Sequence, residues 1–444
     1  MTRRKSIAVI GSGISGLSAA WLLAEAHDVT LFEADGRLGG HSNTVMVGDV
    51  PVDTGFIVFN PPSYTNLTAF FDHLGVPTKP APMGFAVSLD DGRSEYSGAG
   101  LGALVGHGRN LVDFGHWRMM ADLVRFFRDG ARWAKTLVED SRPLGAFLTE
   151  HGYSQAFLDR HILPMAAAIW STPASTVLDF PAASFFRFFA NHGLLEVYDR
   201  PVWRTVDGGS QVYVRALAQR LAGKIRVGAP VRSVRRSATG VEISAGTRTE
   251  RFDACVIGAH ADDALSLLAD ADDVERETLG AFRYQSNHAV LHRDASLMPR
   301  RRRLWSSWNY AARSGDDGSR DLSVTYWMSE LQTLPLDDVF VTLNPMHAPA
   351  ADRVVAEFDY AHPVFDQRAM AMQRELWGLN GRRRTWFCGS YFGYGFHEDG
   401  LQAGLAVAEE LGGVRRPWRV ANESGRITRT TGAAPVDIGR EAAE

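Results

Sequence analysis

The chain has 444 residues, 45% hydrophobic and 22% charged, which exceeds one hydrophobic core and points to two lobes of ordinary globular composition. A formal charge of −4 and the lack of any nucleic-acid motif give no reason to expect a nucleic-acid partner. Cys255 and Cys388 form no CxxC pair, which excludes a dithiol site and a disulfide framework and fits a reducing cytoplasm.

No uninterrupted apolar run reaches the ~18 residues of a spanning helix. MTRRKS leads directly into the first strand without a secretory segment. A cytoplasmic location is expected, with peripheral contact at the inner membrane face as one option. Lysine occurs only at positions 5, 79, 135 and 224, and every other basic residue is arginine.

Residues 7–16, IAVIGSGISG, run a strand into Gly11, Gly13 and Gly16, and the helix-prone LSAAWLLAEA follows. VTLFE then reads as a second strand ending in Glu33. This is the pattern of a dinucleotide-binding βαβ unit. Gly11 permits the tight turn, Gly13 lets the backbone approach a pyrophosphate, and Gly16 lets helix pack on strand. Ile14 and Ser15 open the helix, whose unpaired N–H groups and dipole favour phosphate. Glu33, with Ala34 beside it, is placed to bind a ribose. Arg37, Gly39, Gly40 and His41 come next, supplying a cation and close-approach backbone for a long diphosphate. This stretch resembles the RxGG extension of FAD enzymes in the amine oxidase and phytoene desaturase superfamily, and Asp53-Thr54-Gly55 resembles a piece placed beside the flavin. FAD is the expected cofactor.

Three separated segments should build one cofactor domain: 1–90, 205–265 and 380–414. In the second, TVDGGS precedes a helical pattern, followed by the strand-like runs IRVGAPVRSVRR, VEISAG and RFDACVIGAH. It resembles the superfamily segment whose backbone, here at Val231, meets the adenine. In the third, a strand ends at Gly389-Ser390 and a helix starts near Glu398, with N–H groups around Gly400 and Leu401 expected at the flavin N1/C2 edge. Residues 415–444 are polar, aperiodic and expected to be loosely ordered.

Segments 91–204 and 266–379 should form the substrate domain. Residues 111–135 mix five aromatics with five basic residues, as an amphipathic surface on anionic lipid or as a core helix pair. Phe185, Phe186, Phe188 and Phe189 cannot all be expected to face one core, so some are candidates for an apolar tunnel. Gly98, Gly100 and Gly102 lack a preceding strand and a following acid, which disfavours a second dinucleotide site. Reoxidation should come from oxygen, a quinone or another carrier. His288 and His292 have helical spacing, but nothing completes a ligand set, so no metal is expected. Arg300–Arg303 could bind lipid phosphate or carboxylate, or form a solvated loop.

Together RLGGH, WRTVDGGSQVYV, LMPRRRRLWSSWNY, VTYWM, FVTLNP, AHPVFD and GFHEDGLQAG resemble one bacterial branch of that superfamily, over nearly the whole chain to about residue 412. The resemblance implies an α/β fold: a Rossmann-type, glutathione-reductase-like FAD-binding domain with an inserted α+β substrate domain. Genes of this branch commonly neighbour cyclopropane-fatty-acid-synthase-like methyltransferases, which implies such a partner. One relative is implicated as a desaturase of methylated acyl chains towards furan fatty acids.

The implied reaction is FAD-dependent hydride removal from a methyl-branched, unsaturated acyl chain, carried in phospholipid. Alternatives are a redox-neutral acyl double-bond isomerase, a flavin amine oxidase and a non-enzymatic lipid or flavin binder. Amine oxidases generally hold a lysine near flavin N5, and none follows residue 224 here. Ser390 also replaces the usual acid, and Cys388 reads as a buried structural thiol. Motif matching puts Phe396 in the substrate cage and makes His397 the candidate base or a structural histidine. Glu398 would bond the cofactor or cap the helix. Trp308, Tyr310, Tyr326 and Trp327 are candidate tunnel walls or core.

Overall fold

The computed structural model describes residues 3–98, 100–137, 142–170, 177–191, 193–195, 201–314 and 320–429. The apolar run IAVI makes the central strand Ser6–Ile10, with Ile7, Ala8 and Val9 wholly buried. Burial on both faces is what a parallel sheet requires. The five strands are ordered Thr385–Phe387, Ala254–Ile257, Ser6–Ile10, Asp28–Phe32 and Ile225–Arg226, all parallel. The helix Ile14–Leu23 is buried throughout and packs on the closing helix His397–Gly412. Strands from three distant parts of the sequence therefore meet in one cofactor-type sheet, and the sharp turn after Ile10 faces their shared end.

A three-stranded antiparallel meander (Val231–Ser237, Gly240–Ala245, Arg248–Phe252) flanks this sheet. A seven-stranded sheet forms the floor of the second lobe, ordered Val354–Val364, Arg283–His292, Phe340–Leu343, Arg320–Trp327, Trp308–Ser314, Phe85–Leu89 and Ser94–Ser97. Phe85–Leu89, which the sequence assigns to the first lobe, thus pairs in parallel with Trp308–Ala312 in the second.

Four expectations are corrected here. His288 and His292 lie on the strand Arg283–His292, because residues four apart share a face in a strand as they do in a helix. All four phenylalanines of 185–189 are buried in one core cluster, and Phe188 also lines the main cavity, as the tunnel expectation has it. Their helix, Ala182–Asn191, is sandwiched so that Phe185, Phe186 and Phe189 surround Phe126 while Phe188 meets Phe396. Arg300, Arg302 and Arg303 are exposed, as in a solvated loop, but the Arg300–Arg303 run is not a free one. Arg301 pairs with buried Glu95, Arg302 with Asp338, and Arg303 donates to the Gly106 carbonyl.

The fourth concerns the tail, whose residues 415–429 are docked. The Arg416 side chain is fully buried between Glu409, Asn66 and the Glu423 carbonyl, and Arg426 pairs with Asp399. Aperiodic sequence concealed this because single arginines, and no apolar stripe, fasten the segment. Residues 430–444 lie outside the described residues.

Candidate active site

A cavity of about 1080 Å³ opens where the C-terminal ends of the parallel strands meet the second lobe. One half is backbone-rich. Gly11, Ser12, Gly13, Ile14, Ser15, Glu33, Ala34, Arg37, Gly40, His41, Gly55, Val231, Gly389 and Ser390 all line it.

The glycines divide by what surrounds them. Gly11 has φ +94°, and a Cβ there would sit 2.7 Å from the Gly258 carbonyl oxygen. At Gly16 a Cβ would fall 1.9 Å from the Gly11 carbonyl oxygen, so that glycine is required for helix to meet strand. A Cβ at Gly13 would meet nothing within 4 Å. Glu33 braces the turn by accepting from the N–H groups of Ser12 (2.8 Å) and Asp35 (2.9 Å). Arg37 Nη1 donates to the Gly40 carbonyl (2.8 Å), and Gly39 N–H donates to the Ser12 carbonyl (3.1 Å). Gly16 and Gly39 shape the cavity wall from behind and do not line it.

At the closing motif the structure separates residues that are adjacent in sequence. Phe396 and His397 line the cavity. Gly400 and Leu401 do not, contrary to expectation. Gly400 N–H is taken by the Phe396 carbonyl (3.1 Å), Gly400 packs on Ile14 and Ser15, and Leu401 is core. Glu398 also points away and caps a different helix, Thr65–Leu74. Its carboxylate accepts from the N–H groups of Asn66 (3.0 Å) and Leu67 (2.9 Å), the Asn66 amide and Gln402. Asp399, not Glu398, bonds the Phe396 N–H at the start of the closing helix (2.8 Å).

His397 is a brace and a poor base. Its ring stacks on Phe56 at 3.8 Å, and its Nε2 meets Tyr213 OH at 2.8 Å and Ser42 Oγ at 3.0 Å. Burial pushes its conjugate acid down to about 3, well below the range where a base works at neutral pH. Sequence reasoning missed Phe56, Tyr360, His260 and His362, which also line the cavity. Tyr360 OH accepts a hydrogen bond from Asn43 Nδ2 (2.9 Å) and meets Thr54 Oγ1 (2.7 Å). His362 is held near Asn287 (3.0 Å). Their signal lay in the alternation of YAHP along the strand Val354–Val364, which puts Tyr360 and His362 on one face.

Four histidines are held neutral by burial: His161, His292 and His362 are pushed down to about 4, and His397 to about 3. Each binds its proton more weakly folded than unfolded. Their stabilising contribution is full above about pH 6.5 and is lost as pH falls towards 4. Buried Asp53, pushed up to about 6, has the opposite sign and offsets part of this from about pH 7 downward, but it is one group against four. The unfolding midpoint in denaturant should therefore drop between pH 7.5 and 6, with uptake of more than one proton on unfolding. A flat profile there would refute the assignment.

The cradle fits an adenine dinucleotide. Gly13 leaves open space at a helix N-terminus, a ribose-side acid sits at Glu33, and the buried His41 Nε2 has no partner among the described residues, as a nitrogen awaiting a ligand oxygen would. The family model for flavin-containing amine oxidoreductases matches residues 14–284. The chain belongs to that family. It has the amine-oxidase-like α/β fold, and the family implies FAD as its cofactor.

Within this family, a Mycobacterium tuberculosis protein named as a flavin-containing monoamine oxidase, AofH, is 28% identical over 54% of this chain and 53% of its own length. The coproporphyrinogen III oxidase of the same organism is 27% identical over 49% and 51%. The chain spans about half the length of these curated relatives. Among solved structures, the fatty acid isomerase of P. acnes that produces CLA superposes with TM-score 0.65 at 17% identity, over 91% of this chain and 98% of that one. That likeness establishes the shared fold.

Proposed function

We propose that this amine-oxidoreductase-family flavoprotein oxidises an apolar acyl chain, introducing a double bond beside an activated carbon. The observation that carries this is the second half of the cavity. Beyond Phe396 the wall is Met83, Phe85, Phe127, Met165, Phe188, Leu194, Trp308, Tyr326, Leu343 and Phe365, with no charged side chain among them. Trp308 and Tyr326 meet edge-to-face at 5.3 Å, whereas Tyr310 is core and Trp327 packs on Trp305. Phe188 stacks on Phe396 at 5.0 Å, which leaves no slot between two rings to receive an amine. A protonated amine beside these ten residues would lose its hydration with no anionic partner among them, whereas an alkyl chain gains by burial; Glu33, Asp35, Asp263 and Asp359 are the acids among the cavity's other described lining residues.

FAD supplies the two-electron acceptor at flavin N5 when bound. The chain's own residues orient the substrate and keep water out. Hydride would leave one carbon for the flavin and a proton would leave its neighbour, ultimately for solvent, so that C=C remains. The motif resemblance supports a methyl-branched, unsaturated chain in phospholipid, and a methyltransferase as partner. Introducing Phe127→Arg should cut flavin reduction by acyl chains about tenfold or more while leaving bound flavin unchanged, since a buried charge in the wing opposes alkyl entry.

A second reading is favoured by the fold neighbour that is a fatty acid isomerase: redox-neutral movement of a double bond in the same wing. Anaerobic mixing with acyl lipids, followed at the flavin absorption band, and then product mass, separates the cases. Desaturation bleaches the flavin and gives a product lighter by H₂. Isomerisation gives product of unchanged mass with no net bleaching. Bleaching by amines alone would overturn both.

A further inference from the structure

We propose that the 3₁₀ turn Gly108–Val112 and the outward face of helix Phe114–Thr136 form a docking surface for an anionic phospholipid bilayer. Among the described residues, ten large apolar side chains stand exposed, and five of them fall here: Leu111, Val112, Phe114, Trp117 and Val124. Val112 is 88% and Phe114 83% exposed, values that exclude any packing role. Nor is the projection a loose end. Asp113 caps the helix through the N–H groups of Gly115 and His116 and pairs with Arg160 at 2.6 Å. Trp117 Nε1 donates to the Leu111 carbonyl (3.0 Å), and Arg303 braces the preceding loop at Gly106. The apolar finger is therefore held out in a fixed shape.

The rest of the face states what it fits. The opposite side of the helix is buried through His116, Met119, Leu123, Phe126, Gly130 and Trp133. The outward positions 117, 121, 124, 128, 131 and 135 follow helical spacing and carry Trp, Ala, Val, Arg, Ala and Lys. Arg118, Arg128 and Arg132 are more than half exposed although they reach back to the helix's two acids, Asp122 (5% exposed) and Asp129 (16% exposed), and with Arg125 and Lys135 the cations on the helix outnumber those acids. Apolar groups at one end, cations along the length and no exposed acid match a bilayer interface with negative headgroups. A protein partner would be expected to meet these arginines with acids, but lipid phosphate meets them without a register. Phe127 on the same helix lines the cavity, so one rigid element reaches from the bilayer to the apolar wing. The surface is independent of what the flavin oxidises.

The test is co-sedimentation of the flavin-loaded protein with phosphatidylcholine vesicles, with and without phosphatidylglycerol. Binding is expected only with the anionic lipid and should weaken as salt rises. The F114S/W117S variant should partition about tenfold or more weakly, and R118E/R128E/R132E should lose the anionic preference. Bound flavin and thermal midpoint report that both variants are folded. Equal binding by wild type and F114S/W117S overturns the proposal. Failure of the wild type to bind the anionic vesicles also overturns it, and a lipid-free dimer that F114S/W117S disperses would then make a second copy the occupant.

Discussion

Replacing Gly13 by aspartate is expected to give a folded protein that no longer retains flavin. Gly13 is the residue preceding the helix Ile14–Leu23 and has φ −64°, a value any residue adopts, and a Cβ there meets nothing within 4 Å. Aspartate is also a favoured residue at a helix start, so the apoprotein should be no less stable than the parent apoprotein. Yet its carboxylate would stand in the open space where the backbone must approach a pyrophosphate. Two like charges about 4 Å apart at an effective dielectric near 20 repel by about 4 kcal/mol, a loss of affinity of about a thousandfold. Gly16→Ala makes the informative contrast. Its Cβ would collide with the Gly11 carbonyl oxygen at 1.9 Å, so strand and helix must part and the fold itself should fail. Flavin absorbance after gel filtration, paired with a circular-dichroism melt, reads both. Gly13→Asp with full flavin content would mean that the cofactor's diphosphate does not lie on this turn.

That contrast shows where sequence carries structural information and where it stops. The turn at Gly11–Gly16 was legible because a backbone approach imposes residue type at fixed spacing, and the acid at Glu33 follows from the same unit. The far side of the cavity was not, because its residues are gathered by strand pairing across the chain. Tyr360 reaches Asn43 from the opposite end of the sequence and His362 reaches Asn287 across a strand pair 75 residues apart, and no local period announces either contact. The closing motif marks an intermediate case. GFHEDG placed Phe396 and His397 at the cavity, but which acid begins the helix depended on a rotation of about 100°, one residue's worth. Glu398 went to Asn66 and Leu67, and Asp399 took the Phe396 N–H. Helical phase at a terminus is set by packing, here of Gly400 and Gly404 on Ser15, rather than by the motif.

Arg426→Ala should be among the most destabilising single substitutions in the chain, although it lies in a segment that composition marks as loose. Asp399 is 0% exposed, and Arg426 Nε reaches its Oδ1 at 2.6 Å. The same guanidinium donates to the Ser63 carbonyl (3.0 Å) and sits over Tyr64. Removing one partner of a buried pair leaves an uncompensated charge, and the usual cost is about 3–5 kcal/mol. Burial already pushes the Asp399 carboxyl up from its ordinary value, and Arg426 is the first opposing influence. Without the arginine it should rise further. A folded-state value above the unfolded one penalises the fold at pH above that value and relieves it as pH falls, so the deficit of Arg426→Ala should be largest near pH 8 and shrink towards pH 5. Adding Asp399→Asn should recover part of the loss, because no charge is then left buried. Denaturant melts of the four proteins of this cycle measure the coupling. Additive losses would show that the pair is not coupled. Asp399 also fixes the N–H of Phe396, so Arg426→Ala should loosen the ring wall at the cavity and weaken flavin retention together with stability. Chain truncation after Val414 should reproduce both effects, because it removes Arg416 and Arg426 at once.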